Sequence, residues 1–112
     1  MKTKMQWAAC VAALLFLQGC SAQSNVEVSV QAGPLVHMVT FEVRAIADEA
    51  TVKNITINRG NCALGSITEE TLNKTIKLKF GQSFRGSGIC KLPNVKEIKV
   101  GTDAGAFVFS FN

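Results

Sequence analysis

The chain predicts an all-β fold, a small antiparallel β-sandwich of the immunoglobulin or fibronectin type III kind with one disulfide. Three observations predict it. About seven short segments alternate apolar and polar residues, and Gly, Pro and Asn/Asp turn signals separate them. No amphipathic run is long enough for a substantial helix. Strict immunoglobulin domains carry a core Trp and a tyrosine corner, whereas this chain has no Tyr and its one Trp lies near the N-terminus, so the sandwich is a divergent one.

The elements follow in order. Val26, Val28 and Val30 alternate with Glu27, Ser29 and Gln31, the period of a half-buried strand, and Gly33-Pro34 ends it. Val39, Phe41, Val43 and Ala45 alternate with Thr40, Glu42 and Arg44 in a second strand, closed by a turn at Asp48-Glu49. Val52 to Arg59 reads as a third, with Ile55 and Ile57 inward, before the turn residues Asn58-Arg59-Gly60-Asn61. Thr68, followed by Glu69-Glu70-Thr71, resembles an N-cap and opens no more than one helical turn. Thr75 to Phe80 is a strand with Ile76, Leu78 and Phe80 on one face and Thr75, Lys77 and Lys79 on the other. The glycine-rich stretch Gly81 to Gly88 predicts a loop or irregular hairpin. Pro93-Asn94 turns into a strand over Val95 to Val100, and Gly101 to Gly105 turns again. Phe107, Phe109 and Phe111 then alternate with Val108, Ser110 and Asn112. The aromatic core is expected from Phe41, Phe80, Phe84, Phe107, Phe109 and Phe111.

Residues 1–19 have the layout of a bacterial secretory signal. A charged start (Met1-Lys2-Thr3-Lys4) precedes an apolar run from Trp7 to Leu17. That run is too short for a hydrocarbon core, which takes about 20 residues. Leu17-Gln18-Gly19-Cys20 resembles the lipobox of bacterial lipoproteins, where cleavage precedes the cysteine and its sulfur is acylated. Ser21, in place of an Asp that favours inner-membrane retention, points to the outer membrane. Residues 20–25 are then a short polar tether, and residues 26–112 are the domain. Ordinary cleavage after Ala22 is the alternative and would give a secreted or periplasmic protein.

Losing Lys2 and Lys4 leaves ten Lys/Arg against eight Asp/Glu, so a formal charge of +4 falls to +2. Nucleic acid is not an expected partner. Cys10 leaves with the signal and Cys20 carries lipid. Cys62 and Cys90 remain, and in an oxidising compartment they are expected to pair; two free buried thiols are the alternative.

No catalytic, cofactor or metal constellation stands out, and the chain is not expected to be an enzyme. His37, the single histidine, sits in Leu35-Val36-His37-Met38-Val39 at the start of an apolar strand, and reads as structural or surface. The carboxylate neighbours Asp48-Glu49 and Glu69-Glu70 fall in solvated turns, where acid–base tuning is not expected. Lys74, Lys77 and Lys79 could meet lipid head groups, or be a solvated face whose lysines discourage edge pairing. The strongest candidates for partner contact are Phe84 and Arg85 in the glycine-rich stretch beside Cys90, joined by Arg59, Lys77 and Lys79. Phe84 folding back into the core is the competing reading.

Several stretches resemble a small family of secreted bacterial interleukin-receptor mimics, the IrmA-like proteins. They are Ile55-Thr56-Ile57-Asn58-Arg59-Gly60-Asn61-Cys62, Leu78-Lys79-Phe80-Gly81-Gln82, Cys90, and Val95-Lys96-Glu97-Ile98-Lys99-Val100 before a Phe-rich end. The resemblance implies a fibronectin III-like fold, a Cys62–Cys90 disulfide, a tendency to pair through strands and a host receptor as partner. The lipobox departs from it, since a tethered domain is not a released ligand.

Together these readings predict an outer-membrane-anchored lipoprotein that binds a protein partner and pairs with a second copy through an edge strand. A structural accessory of a secretion, conjugation or pilus system, including an exclusion role, is the alternative.

Overall fold

A computed structural model describes residues 6–7 and 23–111 of the chain. The lipobox and most of the apolar run before it lie outside the described residues. Strands β1 (Gln6–Trp7), β2 (Val26–Ala32), β3 (Val39–Ala45), β4 (Glu49–Ile57) and β5 (Ala63–Leu64) precede helix α1 (Ser66–Leu72). After it come β6 (Ile76–Lys79), β7 (Ser83–Ile89), β8 (Glu97–Thr102) and β9 (Gly105–Ser110). One sheet has the order β2-β3-β7-β5, the other β1-β9-β8-β4-β6, and every neighbouring pair is antiparallel. The chain crosses between sheets after β3, returns for β5, crosses again on either side of β6, and passes back to the second sheet after β7. Packed face to face, the two sheets form a fibronectin III-like sandwich.

Register follows the alternation. Val26, Val28 and Val30 lie opposite Ala45, Val43 and Phe41, and all six side chains are buried. A one-residue slip would turn all of them to water, so this pairing is strongly specified. In β4 the inward residues are Ala50 and Val52, then Ile55 and Ile57. That change of phase is absorbed by a β-bulge between Val52 and Asn54. The strand therefore begins at Glu49, three residues before the predicted Val52, and stops at Ile57, two residues before the predicted Arg59. Asn58–Gly60 is a tight 3-10 turn in which Asn58 and Arg59 take φ of 52° and 57°.

The glycine-rich stretch is not a loop. Ser83–Ile89 is an interior strand of the first sheet, between β3 and β5. Its glycines serve packing: a Cβ on Gly86 would stand 2.4 Å from the Phe41 ring and 2.8 Å from Thr68 Cγ2. On Gly88 it would meet Ile57 Cδ1 at 2.8 Å. Glycine here makes room for large side chains from neighbouring strands.

Two further expectations change. The helical element runs from Ser66 to Leu72, about two turns, and Gly65 is its N-cap. Thr68 is instead buried beside Leu72 on the inner face, where its Oγ1 accepts a 3.0 Å hydrogen bond from the Ser87 backbone N–H. Thr68 and Leu72 stand four residues apart, so one short helix closes the side of the sandwich. The aromatic core is smaller than predicted. Phe41, Phe109 and Phe111 are buried, Phe84 and Phe107 are half-buried, and Phe80 is 69% exposed.

Cys62 and Cys90 form the disulfide, their Cα atoms 5.7 Å apart across a sequence separation of 28. In the chain-entropy model a loop of that size stabilises the fold by about 3–4 kcal/mol. That is a large share of the roughly 5–15 kcal/mol typical of a domain.

Candidate functional site

The two ends of the sandwich differ in chemistry. β2 runs from Val26 at one end to Ala32 at the other, a span of about 23 Å for seven residues. The Val26 end also carries the turns at residues 46–48, 80–82 and 103–104. The Ala32 end carries the 33–38 loop, the disulfide and the 3-10 turn Leu92–Asn94.

At the disulfide end, the 33–38 loop is held by Gly33 N–H donating to the Met38 carbonyl and Met38 N–H donating to that of Leu35, each at 3.0 Å. Its tip exposes two adjacent apolar side chains, Leu35 at 53% and Val36 at 83%. Val39 pairs with Gly88, which brings Ile89, 49% exposed, to the neighbouring rung. An open groove of about 500 Å³ runs between this loop and the 3-10 turn, lined by Pro34, Leu35, Val36, Met38, Leu92 and Pro93, with Lys91 at its side. A second open cleft of about 370 Å³ lies at the same end, between the side chains of Arg59, Asn61, Lys96 and Glu97. Asn58 ties the two together. Its Nδ2 donates to the Asn94 carbonyl at 2.7 Å, and its Oδ1 accepts from Lys96 N–H at 2.8 Å. Arg59 Nε reaches Glu97 at 3.2 Å while remaining mostly in solvent. The result is an exposed apolar tip with Lys91 at its side, at the end of the sandwich that the disulfide fixes; such a surface suits protein contact.

At the opposite end, Asn25 fastens the start of the domain to both sheets. Its Nδ2 donates to Asp103 Oδ1, its Oδ1 accepts from Thr102 Oγ1, and its carbonyl accepts from Ile46 N–H, each at 3.0 Å. Asp103 Oδ1 also accepts the Thr51 N–H at 3.0 Å. That backbone bond is the main reason the Asp103 carboxyl is held below the usual range, with the Asn25 amide adding to it against slight desolvation. Asn25 is buried. It therefore belongs to the folded domain, not to the polar segment 20–25 in which the sequence places it.

The predicted contact residues fall in separate places. Phe84 is half-buried on β7 with its ring 6.3 Å from that of Phe41, so it folds into the core. Arg85 points out from the first sheet, opposite Glu42 on β3. Lys77 and Lys79 are exposed on β6, at the edge of the second sheet, and Lys79 faces Glu49 across the pair. Only Arg59 belongs to the disulfide end. His37 is exposed beside Val36, and Lys74, Asp48, Glu49, Glu69 and Glu70 are all exposed. Among the described residues no group of His, Cys, Asp or Glu is placed to hold a metal ion, and no helix is long and apolar enough to cross a membrane.

Leu35, Val36 and Ile89 belong to no motif in the sequence. The available signal was an apolar pair directly after Gly33-Pro34, where a turn tip is ordinarily polar.

One further edge is notable. β1 pairs with β9, Gln6 opposite Ser110 and Trp7 opposite Phe109, and residues 105–112 carry no charge. Compared with known protein families, curated proteins and solved structures, the chain matches none of them.

Proposed function

We propose that the chain is an outer-membrane lipoprotein whose fibronectin III-like domain binds a protein partner through its disulfide end. One observation carries the reading: the chain enters the domain at Asn25 and Val26, at the end opposite the apolar tip of Leu35 and Val36. Anchored by Cys20, the domain would hold that tip about one strand length above its membrane. The free link from Cys20 to Asn25 extends at most about 18 Å, which keeps the partner near the bilayer. A short reach favours a partner in the envelope and supports the accessory role in a secretion, conjugation or pilus system. A host receptor remains the partner implied by the resemblance. The β9 edge, covered by β1 before signal removal, carries no charged residue to discourage strand addition, which supports pairing with a second copy.

Co-purification of the acylated protein from its own membranes tests the binding surface. The Leu35→Ser/Val36→Asp variant should lose the partner, while Arg85→Ala keeps it. Retention by the first variant would refute binding at this end. Protease treatment of intact cells then separates the partner classes, since digestion supports a surface role and protection a periplasmic one.

A further inference from the structure

Phe80 is the exposed aromatic that the core does not explain. It occupies the first corner of a tight turn in which Gln82 N–H donates to the Lys79 carbonyl at 2.8 Å. Gly81 follows at φ 85°, a conformation that favours glycine. Lys79 N–H donates to Gln82 Oε1 at 2.9 Å, and Phe80 N–H to the Asp48 carbonyl at 3.0 Å. The ring is therefore presented from a braced turn, where exposed polar residues are the norm.

Its position relates to the tether. Ile46 N–H donates to the Asn25 carbonyl, and Gly81 N–H to the Ala45 carbonyl, so the Phe80 turn lies two strand spacings from the tether exit. That is about 10 Å, inside the roughly 18 Å reach of the link to Cys20. We propose that Phe80 inserts into the lipid interface next to the acylated cysteine, a second contact that sets the domain upright and turns Leu35 and Val36 away from the bilayer. The inference rests on the lipoprotein reading.

The lipid required is of ordinary kind. Lys53, Lys77 and Lys79 at this end are matched in number by Asp48, Glu49 and Asp103, so attraction to anionic head groups is largely cancelled. The contact is apolar burial of the ring at the boundary between head groups and acyl chains, where interfacial segments also bury Phe, Trp and Leu. Zwitterionic vesicles should suffice, with little dependence on salt.

The test uses the absence of Trp after residue 7. Phe80→Trp and, separately, Val36→Trp are expressed as full precursors, purified from membranes, and reconstituted into phosphatidylethanolamine–phosphatidylcholine vesicles. The mass of each protein reads cleavage and acylation. The expected result is a blue-shifted Phe80→Trp emission that is quenched when brominated acyl chains replace ordinary ones, with Val36→Trp unaffected. An acylated protein whose Phe80→Trp emission is unquenched, or is quenched no more than Val36→Trp, overturns the inference alone. A chain without the acyl mass overturns the lipoprotein reading and the inference together.

Discussion

Replacing Gly86 by Ala adds one methyl group to the centre of the first sheet, and the structure says what it meets. Its Cβ would lie 2.4 Å and 2.9 Å from two atoms of the Phe41 ring and 2.8 Å from Thr68 Cγ2. Carbon atoms settle near 3.5–4.0 Å, so the ring must retreat by about 1 Å. Phe41 is fully buried, with Phe84 packed against it, and Thr68 is fixed by its hydrogen bond to Ser87. No flexible end is free to yield. Overpacking of this kind costs about 1–3 kcal/mol, and a site with two fixed neighbours belongs at the upper end. For a domain of this size, ~3 kcal/mol lowers Tm by roughly 12–24 °C. Thermal unfolding followed by circular dichroism reads the shift. In a Phe41→Leu background the opposing ring atoms are gone, and the same substitution should cost at least about 1 kcal/mol less. A Gly86→Ala protein melting within about 3 °C of the parent would refute the packing role of this glycine.

Asp103 makes stability depend on acid. Its carboxyl is held low in the folded state by the Thr51 N–H and the Asn25 amide. The stabilisation is therefore complete above the unfolded value of about 3.9 and is lost as pH falls through the lower folded value. Asp103→Asn should be less stable at neutral pH, with the gap to the parent closing below about pH 4; a gap constant from pH 7 to 2 in denaturant titrations would contradict this. Reducing the disulfide, or Cys62→Ala/Cys90→Ala, should remove about 3 kcal/mol and shift the urea midpoint down by roughly 2 M, and an unchanged midpoint would refute its stabilising role. Removal of residues 1–19 should let the β9 edge pair between copies. Sedimentation then shows a dimer that Ala106→Lys returns to monomer, and a processed chain that is monomeric at all concentrations would exclude that edge.

Strict alternation made most of the sandwich legible. Val26 to Gln31, Val39 to Ala45 and Phe107 to Phe111 each have one face buried, and period 2 reports that directly. The glycine-rich strand was hidden because its inward positions, Gly86 and Gly88, carry no side chain to alternate; the volume that specifies them belongs to Phe41 and Ile57. Phe80 continues the alternation of Ile76 and Leu78 in the sequence, but β6 ends at Lys79 and the turn at Gly81 leaves the ring exposed, so it is not the core residue the pattern predicts. Asn25 looked like tether because its hydrogen-bond partners, Thr102 and Asp103, lie far along the chain. The candidate surface was barely legible, since it is assembled from the ends of several strands and only Arg59 among its members stood out.

The proposal that the disulfide end binds a partner is tested most directly by photocrosslinking in native membranes. A photoreactive phenylalanine analogue is placed at Val36 on the apolar tip, at Ser29 on the face of the first sheet, or at Thr56 on that of the second. Recognition through the disulfide end predicts a discrete crosslinked species from Val36 and none from Ser29 or Thr56. Crosslinks from either sheet face with none from Val36 would contradict it.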